Sequence, residues 1–196
     1  MTGSASSGNA LSLRLPTLEL AGDALELGYE VRNESPHRVF LVNRLPRRSP
    51  QGLIIDPNLV YAHLQPGPVL ALSKRLITAP EDLDVEVPEV PYLTAVAAGD
   101  RFVETLRIPL PARPHDPYRT QPMSDTVATV DRLAWLLGYV VEDAPLPASE
   151  DELATGGRAW RMDFGELNMR QRLATLEVGD VAVPTVIDVT AVAGSG

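Results

Sequence analysis

Residues 25–42 constrain the fold of this chain more than any others. Leu25, Leu27, Tyr29 and Val31 alternate with Glu26, Gly28, Glu30 and Arg32, and side chains two apart share a face only on an extended strand. One face of that strand is apolar and the other wet, as in an antiparallel sheet with one side on a core. Asn33-Glu34-Ser35-Pro36 supplies turn residues, and Val39-Phe40-Leu41-Val42 follows as a return strand whose unbroken apolarity implies burial on both faces.

The same pattern recurs along the chain. Pro16 separates apolar runs at 11–15 and 17–20; lacking an N–H, it predicts an edge position or a strand that changes sheets. Gly22-Asp23 then turns into the Leu25 strand. Runs at 59–64 and 69–76 flank Gln65-Pro66-Gly67-Pro68, which predicts a hairpin. A strand at 92–97 is followed by Gly99-Asp100 and a strand at 102–110, where Phe102, Leu106, Ile108 and Leu110 share one parity and Val103, Thr105 and Arg107 the other.

Over residues 127–141 helical and strand spacings compete, and Gly138 with Tyr139-Val140-Val141 favours a strand from about Arg132. Ser149 and Glu152 have capping-box spacing, which predicts a short helix closed by Gly156-Gly157. Residues 160–164 read as a strand, and 166–178 as an amphipathic helix through Leu167, Leu173 and Leu176, ending at Gly179. A strand over 181–192, interrupted by Pro184, closes the series.

About nine strands with turn residues between them indicate a mainly β fold, an antiparallel β-sandwich with one or two short helices in the C-terminal half. One domain over 11–192 is expected, between loose ends at 1–10 and 193–196 whose residues are small and polar. The strand at 25–33 with its turn, and the Gly99-Asp100 turn feeding 102–110, resemble the immunoglobulin-like sandwiches in outline over residues 11–110. The Cys pair and core Trp of antibody domains are lacking, so the resemblance implies architecture and carries no functional residue across.

Composition narrows the partners. A net charge of -9 opposes phosphate backbones and anionic membranes, so no nucleic-acid or membrane partner is expected. No apolar run is long enough to span a bilayer, and residues 1–9 lack the basic start and apolar middle of a secretory signal, which points to the cytoplasm. Without Cys there is no disulfide and no thiolate metal site. Lys74 is the sole lysine among the basic residues, and the Arg are scattered, as codon bias would leave them.

Catalytic signatures are absent. His37, His63 and His115 stand outside any motif, and neither Gly-x-Ser-x-Gly, His-Glu-x-x-His, an EF-hand loop nor a phosphate-cradling glycine loop occurs. His115-Asp116, held between Pro114 and Pro117, is the best placed of these for a rigid exposed loop. A histidine bonded to both a carboxylate and a Ser in a cleft would mark an enzyme. Asp82, Asp84 and Glu86 read as a solvated face opposite Leu83, Val85 and Val87, rather than as a metal loop with Glu81 and Glu89.

Trp135 and Trp160 lie in apolar strands and are expected in the core, whereas Tyr92 and Tyr118 follow Pro91 and Pro117 in loops and are candidate binding residues. Arg44, Arg47 and Arg48 form one basic cluster, able to grip an acidic partner or a second copy in a homo-oligomer. No catalytic residue, cofactor or metal is implied. The reading is a non-catalytic module acting by protein–protein contact, as an accessory or assembly subunit of a bacterial complex. Two alternatives stand beside it: a small-ligand or carbohydrate-binding module using Tyr92 and Tyr118, and an intracellular proteinase inhibitor presenting residues 111–122.

Overall fold

A computed structural model describes residues 3–7, 10–50, 52–67, 69–80, 82–83, 85, 88–118, 126–153 and 157–187, with backbone alone at 3–7, 48 and 52–53. In chain order its strands are β1 (Gly3–Ser7), β2 (Leu11–Ala21), β3 (Ala24–Asn33), β4 (Val39–Arg44), β5 (Pro46–Ser49), β6 (Gly52–Ile55), β7 (Tyr61–Gln65) and β8 (Val69–Lys74). Then come β9 (Tyr92–Val96), β10 (Arg101–Pro109), β11 (Val127–Val130), β12 (Arg132–Val141), β13 (Ala148–Glu152) and β14 (Arg158–Met162). A single described helix, α1 (Phe164–Arg170), precedes β15 (Arg172–Val178) and β16 (Val183–Val186).

Two sheets face each other. The smaller has the order β1-β2-β3-β10 and is antiparallel throughout. The larger runs β13-β14-β9-β4-β12-β8-β7, with β15 added to β12. Strand β12 pairs parallel with β8 over residues 132–137 and antiparallel with β4 over 138–141. At that handover lie Lys74, the last residue of β8, and Asn43, next after the paired Val42 of β4. The expected sandwich is thus present, and the immunoglobulin-like outline is carried no further than that arrangement.

The alternation of β3 does what the sequence implies: Leu25, Leu27, Tyr29 and Val31 are buried while Arg32 is exposed. They pack with Leu13, Leu15, Leu106 and Ile108 of the small sheet against Leu41, Leu72, Leu133, Trp135 and Leu176 of the large one. Each fully buried Leu contributes about 1.5–3 kcal/mol of transfer free energy. Strand β4 is buried on both faces because Val39 and Leu41 join this core, whereas Phe40 and Val42 meet Leu93, Val140, Met162 and Leu167 of α1 in a second one.

Asn33 explains why β3 and β4 lie in different sheets instead of forming a hairpin. Fully buried, its Nδ2 donates to the carbonyls of His37 (2.8 Å), Val96 (3.0 Å) and Ala97 (3.0 Å), while its Oδ1 accepts from the backbone N–H (3.0 Å) and hydroxyl (2.8 Å) of Ser35. One side chain therefore ties the turn to the β9 end of the opposite layer. Pro16 falls where the β2–β3 register shifts and where the described pairing of β1 with residues 11–15 stops; beyond it β2 has no second strand partner among the described residues.

The strand expected from about Arg132 forms β12, preceded by the separate β11 at Val127–Val130, and the Pro66-Gly67 turn closes the β7–β8 hairpin. Two helical expectations fail. Ser149 to Glu152 lie in β13, paired along β14, because a hairpin partner satisfies more backbone groups than one capped turn. The helix expected over 166–178 stops at Arg170: Asp163 caps it by accepting the Gly165 N–H (2.8 Å), Gln171 is extended, and Ala174, Leu176 and Val178 alternate inward along β15. Gly3–Ser7, within the expected N-terminal tail, run beside β2 as β1. Of the closing strand over 181–192, β16 accounts for Val183–Val186, and 188–192 lie outside the described residues.

Candidate functional site

Strand β7 directs Ala62 and Leu64 toward the main core, so the opposite parity turns Tyr61 and His63 away from it. Across them lies the proline-stiffened segment 112–118. His115 and Ala62 exchange two backbone hydrogen bonds (2.8 and 2.9 Å), while Ala112 donates to the Pro184 carbonyl and accepts from Val186, each at 2.8 Å. Pinned at both points, the segment runs along the outer edge of β7 and adds to the sheet there. The loop whose residues 111–122 were expected to project is thus docked over its described part. His115 itself is exposed, its ring 6.1 Å from that of Tyr61.

Docking aims Asp116 inward. Its side chain is only 5% exposed, Oδ1 accepts the Tyr118 N–H at 2.8 Å in an Asx turn, and Oδ2 lies 3.9 Å from His63 Nδ1. The Tyr118 hydroxyl accepts the Glu89 N–H (3.3 Å), which ties the 88–91 segment to the same place. Between these pieces His63, Ile77, Thr78, Pro80, Asp116 and Tyr118 line a cavity of about 220 Å³. Burial first, and then the neighbouring Glu89, Tyr118 and Asp116, push the Tyr61 phenol well up. Burial likewise raises Tyr118, opposed by the Glu89 N–H that its hydroxyl accepts and then reinforced by the Glu89 and Asp116 charges. Among the described residues the lining thus holds acceptors and carboxylate charge, with no Lys or Arg.

A second polar cluster bridges the two layers. Lys74, fully buried, donates from Nζ to Glu104 Oε2 (2.8 Å) and to the Pro57 carbonyl (2.7 Å). The Tyr29 hydroxyl donates to the same Oε2 at 2.6 Å and accepts from Asn43 Nδ2 at 3.4 Å. Tyr29 and Glu104 are direct cross-strand partners in the small sheet, whereas Lys74 and Asn43 come from the large one. Burial lowers the Lys74 ammonium against the opposing pull of Glu104, and burial and then Glu104 raise Tyr29. Desolvation of this order makes the cluster a fixed link between sheets, since an ammonium stripped of water needs its carboxylate.

No family model, curated protein or solved structure matches this chain.

The expected interaction residues do not converge. Tyr118 enters the cavity wall. Tyr92 is the first residue of β9, half-buried and opposite Arg44 in the sheet, rather than in a loop. Arg44 spends its Nε on Thr94 Oγ1 (3.0 Å), and Arg47 pairs with Asp56 at 3.3 Å from the separate β5–β6 hairpin. The Arg48 side chain lies outside the described residues.

Trp135 is fully buried against Tyr29, with ring centroids 5.0 Å apart. Trp160 is half-buried on the outer face, edge-on to Phe40 and beneath the Arg38 guanidinium. In the acidic run Asp82 and Leu83 are both exposed, and Glu81, Asp84, Glu86 and Val87 lie outside the described residues. Among the described residues no three His, Asp or Glu stand close enough to hold a metal ion.

Proposed function

We propose that this protein is a binding module whose pocket between β7 and the 112–118 segment takes a small polar ligand. What carries the reading is the buried Asp116 carboxylate on the wall of a 220 Å³ cavity, faced by His63 and Tyr118 and floored by Ile77 and Pro80. Small-molecule sites are concave and largely apolar, with a few convergent polar groups. This volume corresponds to about seven waters at their share of liquid volume, below the roughly 300 Å³ where drug-sized pockets begin. The ligand is therefore small.

A thermal-shift screen with sugars, polyols and small amines tests it. A ligand at a hundredfold its Kd stabilises by about 2.7 kcal/mol, or about 5–10 °C for a chain of this size. The gain should vanish in Asp116→Asn or His63→Ala. No stabilisation by any class would refute the reading.

A second reading, contact with a protein partner, draws on the outer edge of β10 in the small sheet, which pairs with no other strand among the described residues. Hydrogen bonding of β10 to β3 continues the Leu110–Asp23 bond (2.8 Å) through alternate residues, which turns the N–H and C=O groups of Arg101, Val103 and Thr105 outward. Farther along, the Arg107 N–H is taken by Asn58 Oδ1 (2.9 Å) and Pro109 has none. An open edge can accept a strand from another chain. A stoichiometric partner captured from the native source, and lost in a folded Thr105→Pro variant, is the expected outcome; retention by that variant would exclude this edge.

A further inference from the structure

Apart from the pocket, the polar cluster between the layers brings a primary amine, a carboxamide and a carboxylate together. Strand β15 takes one edge of β12 along residues 133–139, so β8 and β4 share the other and meet end to end, Lys74 opposite Leu137 and Val42 opposite Gly138. Leu70 and Leu72 of β8 point into the main core, as do Val39 and Leu41 of β4. The same parity turns Lys74 and Asn43 into the space between the layers, at the junction of the two strands. Glu104 reaches them from the small sheet. Its Oε2 accepts from Lys74 Nζ (2.8 Å) and from the Tyr29 hydroxyl (2.6 Å), which in turn accepts from Asn43 Nδ2 (3.4 Å).

An amine displaces ammonia from a carboxamide when it is unprotonated and a neighbouring acid handles the protons. Lys74 is fully buried, and desolvation pulls its ammonium toward the neutral amine, against the attraction of Glu104. Glu104 is positioned to take that proton across a bond already made. Asn43 is buried, its Nδ2 bond is long, and its Oδ1 has no hydrogen-bond partner among the described residues. The carboxamide can therefore turn at little cost. Burial keeps the Tyr29 phenol neutral, so it goes on donating to Oε2 and fixes the carboxylate in place.

We propose that Lys74, Asn43 and Glu104 are a self-cross-linking site that joins β8 to β4 through an isopeptide bond. A proton passes from Lys74 Nζ to Glu104, leaving an amine and a carboxylic acid. The amine lone pair attacks Asn43 Cγ, forming the Nζ–Cγ bond, while the acid gives its proton to Oδ1. Glu104 next carries a proton from Nζ to Nδ2. As Oδ1 gives up its proton, the Cγ–Nδ2 bond breaks, and ammonia leaves with that proton as ammonium. One ammonium and one carboxamide thus become one secondary amide and one ammonium ion; Glu104 is regenerated and nothing is oxidised or reduced.

The Glu104 side chain is 19% exposed, which gives the leaving group a way to water. The ion pair is the resting form, so freshly folded protein carries the free amine and the bond accumulates with time. Once formed, it closes a covalent loop around the β5–β6 hairpin and β7, and fastens the point where the partner of β12 changes direction.

The test follows the intact mass of the full chain, incubated at neutral pH a few degrees below its Tm. Wild type should lose about 17 Da, the mass of ammonia, and a protease digest should contain a branched peptide joining Lys74 to Asn43. Lys74→Met and Asn43→Ala should keep their full mass, and Glu104→Gln should cross-link at least about a hundredfold more slowly. Should these variants fold poorly, the wild-type digest still decides. Full mass after prolonged incubation of folded wild type overturns the proposal, as does a loss of ammonia without the branched peptide, which an asparagine succinimide would give. Cross-linking of Glu104→Gln at the wild-type rate overturns the part assigned to Glu104.

Discussion

Replacing Glu104 with Gln tests whether the interlayer cluster is held by charge. One oxygen of Glu104 receives both Lys74 Nζ (2.8 Å) and the Tyr29 hydroxyl (2.6 Å), and Lys74 has no exposed surface. The substitution keeps shape and leaves an amide oxygen able to accept from both Tyr29 and Lys74, but the ammonium loses its counter-charge. Removing one partner of a buried ion pair costs about 3–5 kcal/mol, because the other charge stays desolvated. Glu104 is 19% exposed, so water reaches the pair and the low end, about 3 kcal/mol, is expected. That is a large share of the 5–15 kcal/mol typical of a domain.

Urea unfolding at neutral pH, followed by the fluorescence of Trp135, whose ring packs at a tilt against Tyr29, reads the loss as a lower midpoint with unchanged slope. The matching fall in Tm is about 6–12 °C. Adding Lys74→Met to Glu104→Gln removes the stranded ammonium, so the double variant should regain at least about 1.5 kcal/mol over the single one. A single variant within about 1 kcal/mol of wild type, or a double variant no more stable than the single, would refute the argument.

Other consequences are equally open to measurement. Asn33→Ala removes three donated and two accepted hydrogen bonds from a buried turn and should cost about 2–4 kcal/mol in urea unfolding; a loss under about 0.5 kcal/mol would show that the turn needs no such hub. At Gly138 a Cβ would run into Gln171 Oε1 and come within 3.0 Å of Arg75 Cβ, displacing the Gln171 amide that bonds both the N–H (2.7 Å) and the carbonyl (3.2 Å) of Leu76. Gly138→Ala should therefore lower stability by about 1–3 kcal/mol, whereas an unchanged Tm would mean that the amide has another seat.

Tyr29 and Tyr61 have folded pKa values raised by burial first, so their contribution is complete below the unfolded value near 10 and is lost as pH rises above it. Lys74, depressed by burial, works with the opposite sign: its contribution is present above the unfolded value near 10.4 and lost as pH falls through the folded one. Stability should thus fall above about pH 10, by up to about 1.4 kcal/mol per pH unit for each phenol, and more gently in Tyr61→Phe; parallel curves for that variant and wild type would contradict the assignment.

Much of the fold was legible because it rests on period two. The β3, β10 and β12 patterns name their own buried faces, and Pro16 marks where β2 loses a neighbour. Local signals misled where they competed with a sheet: the capping-box spacing at Ser149 lost to pairing with β14, and the leucine spacing at 166–178 mixed one helical turn with an alternating strand. The pocket was only half visible. Tyr118 and Asp116 were noted, but nothing local says that residues 112–118 fold back along β7 to meet His63, since that contact joins residues far apart in the chain. The interlayer cluster did leave a trace: Glu104 occupies the apolar parity of β10 between Phe102 and Leu106, where a carboxylate needs a buried cation, and the chain has one lysine.

That lysine gives the molecule an unusual surface chemistry. Because its single side-chain amine is sealed between the layers, acylating reagents and amine-directed cross-linkers find no lysine to attack while the sheets stay together. Acylation of Lys74 can then proceed only through molecules that have parted. Its rate under dilute reagent would time the spontaneous opening of the sandwich, with a built-in label and no engineered probe.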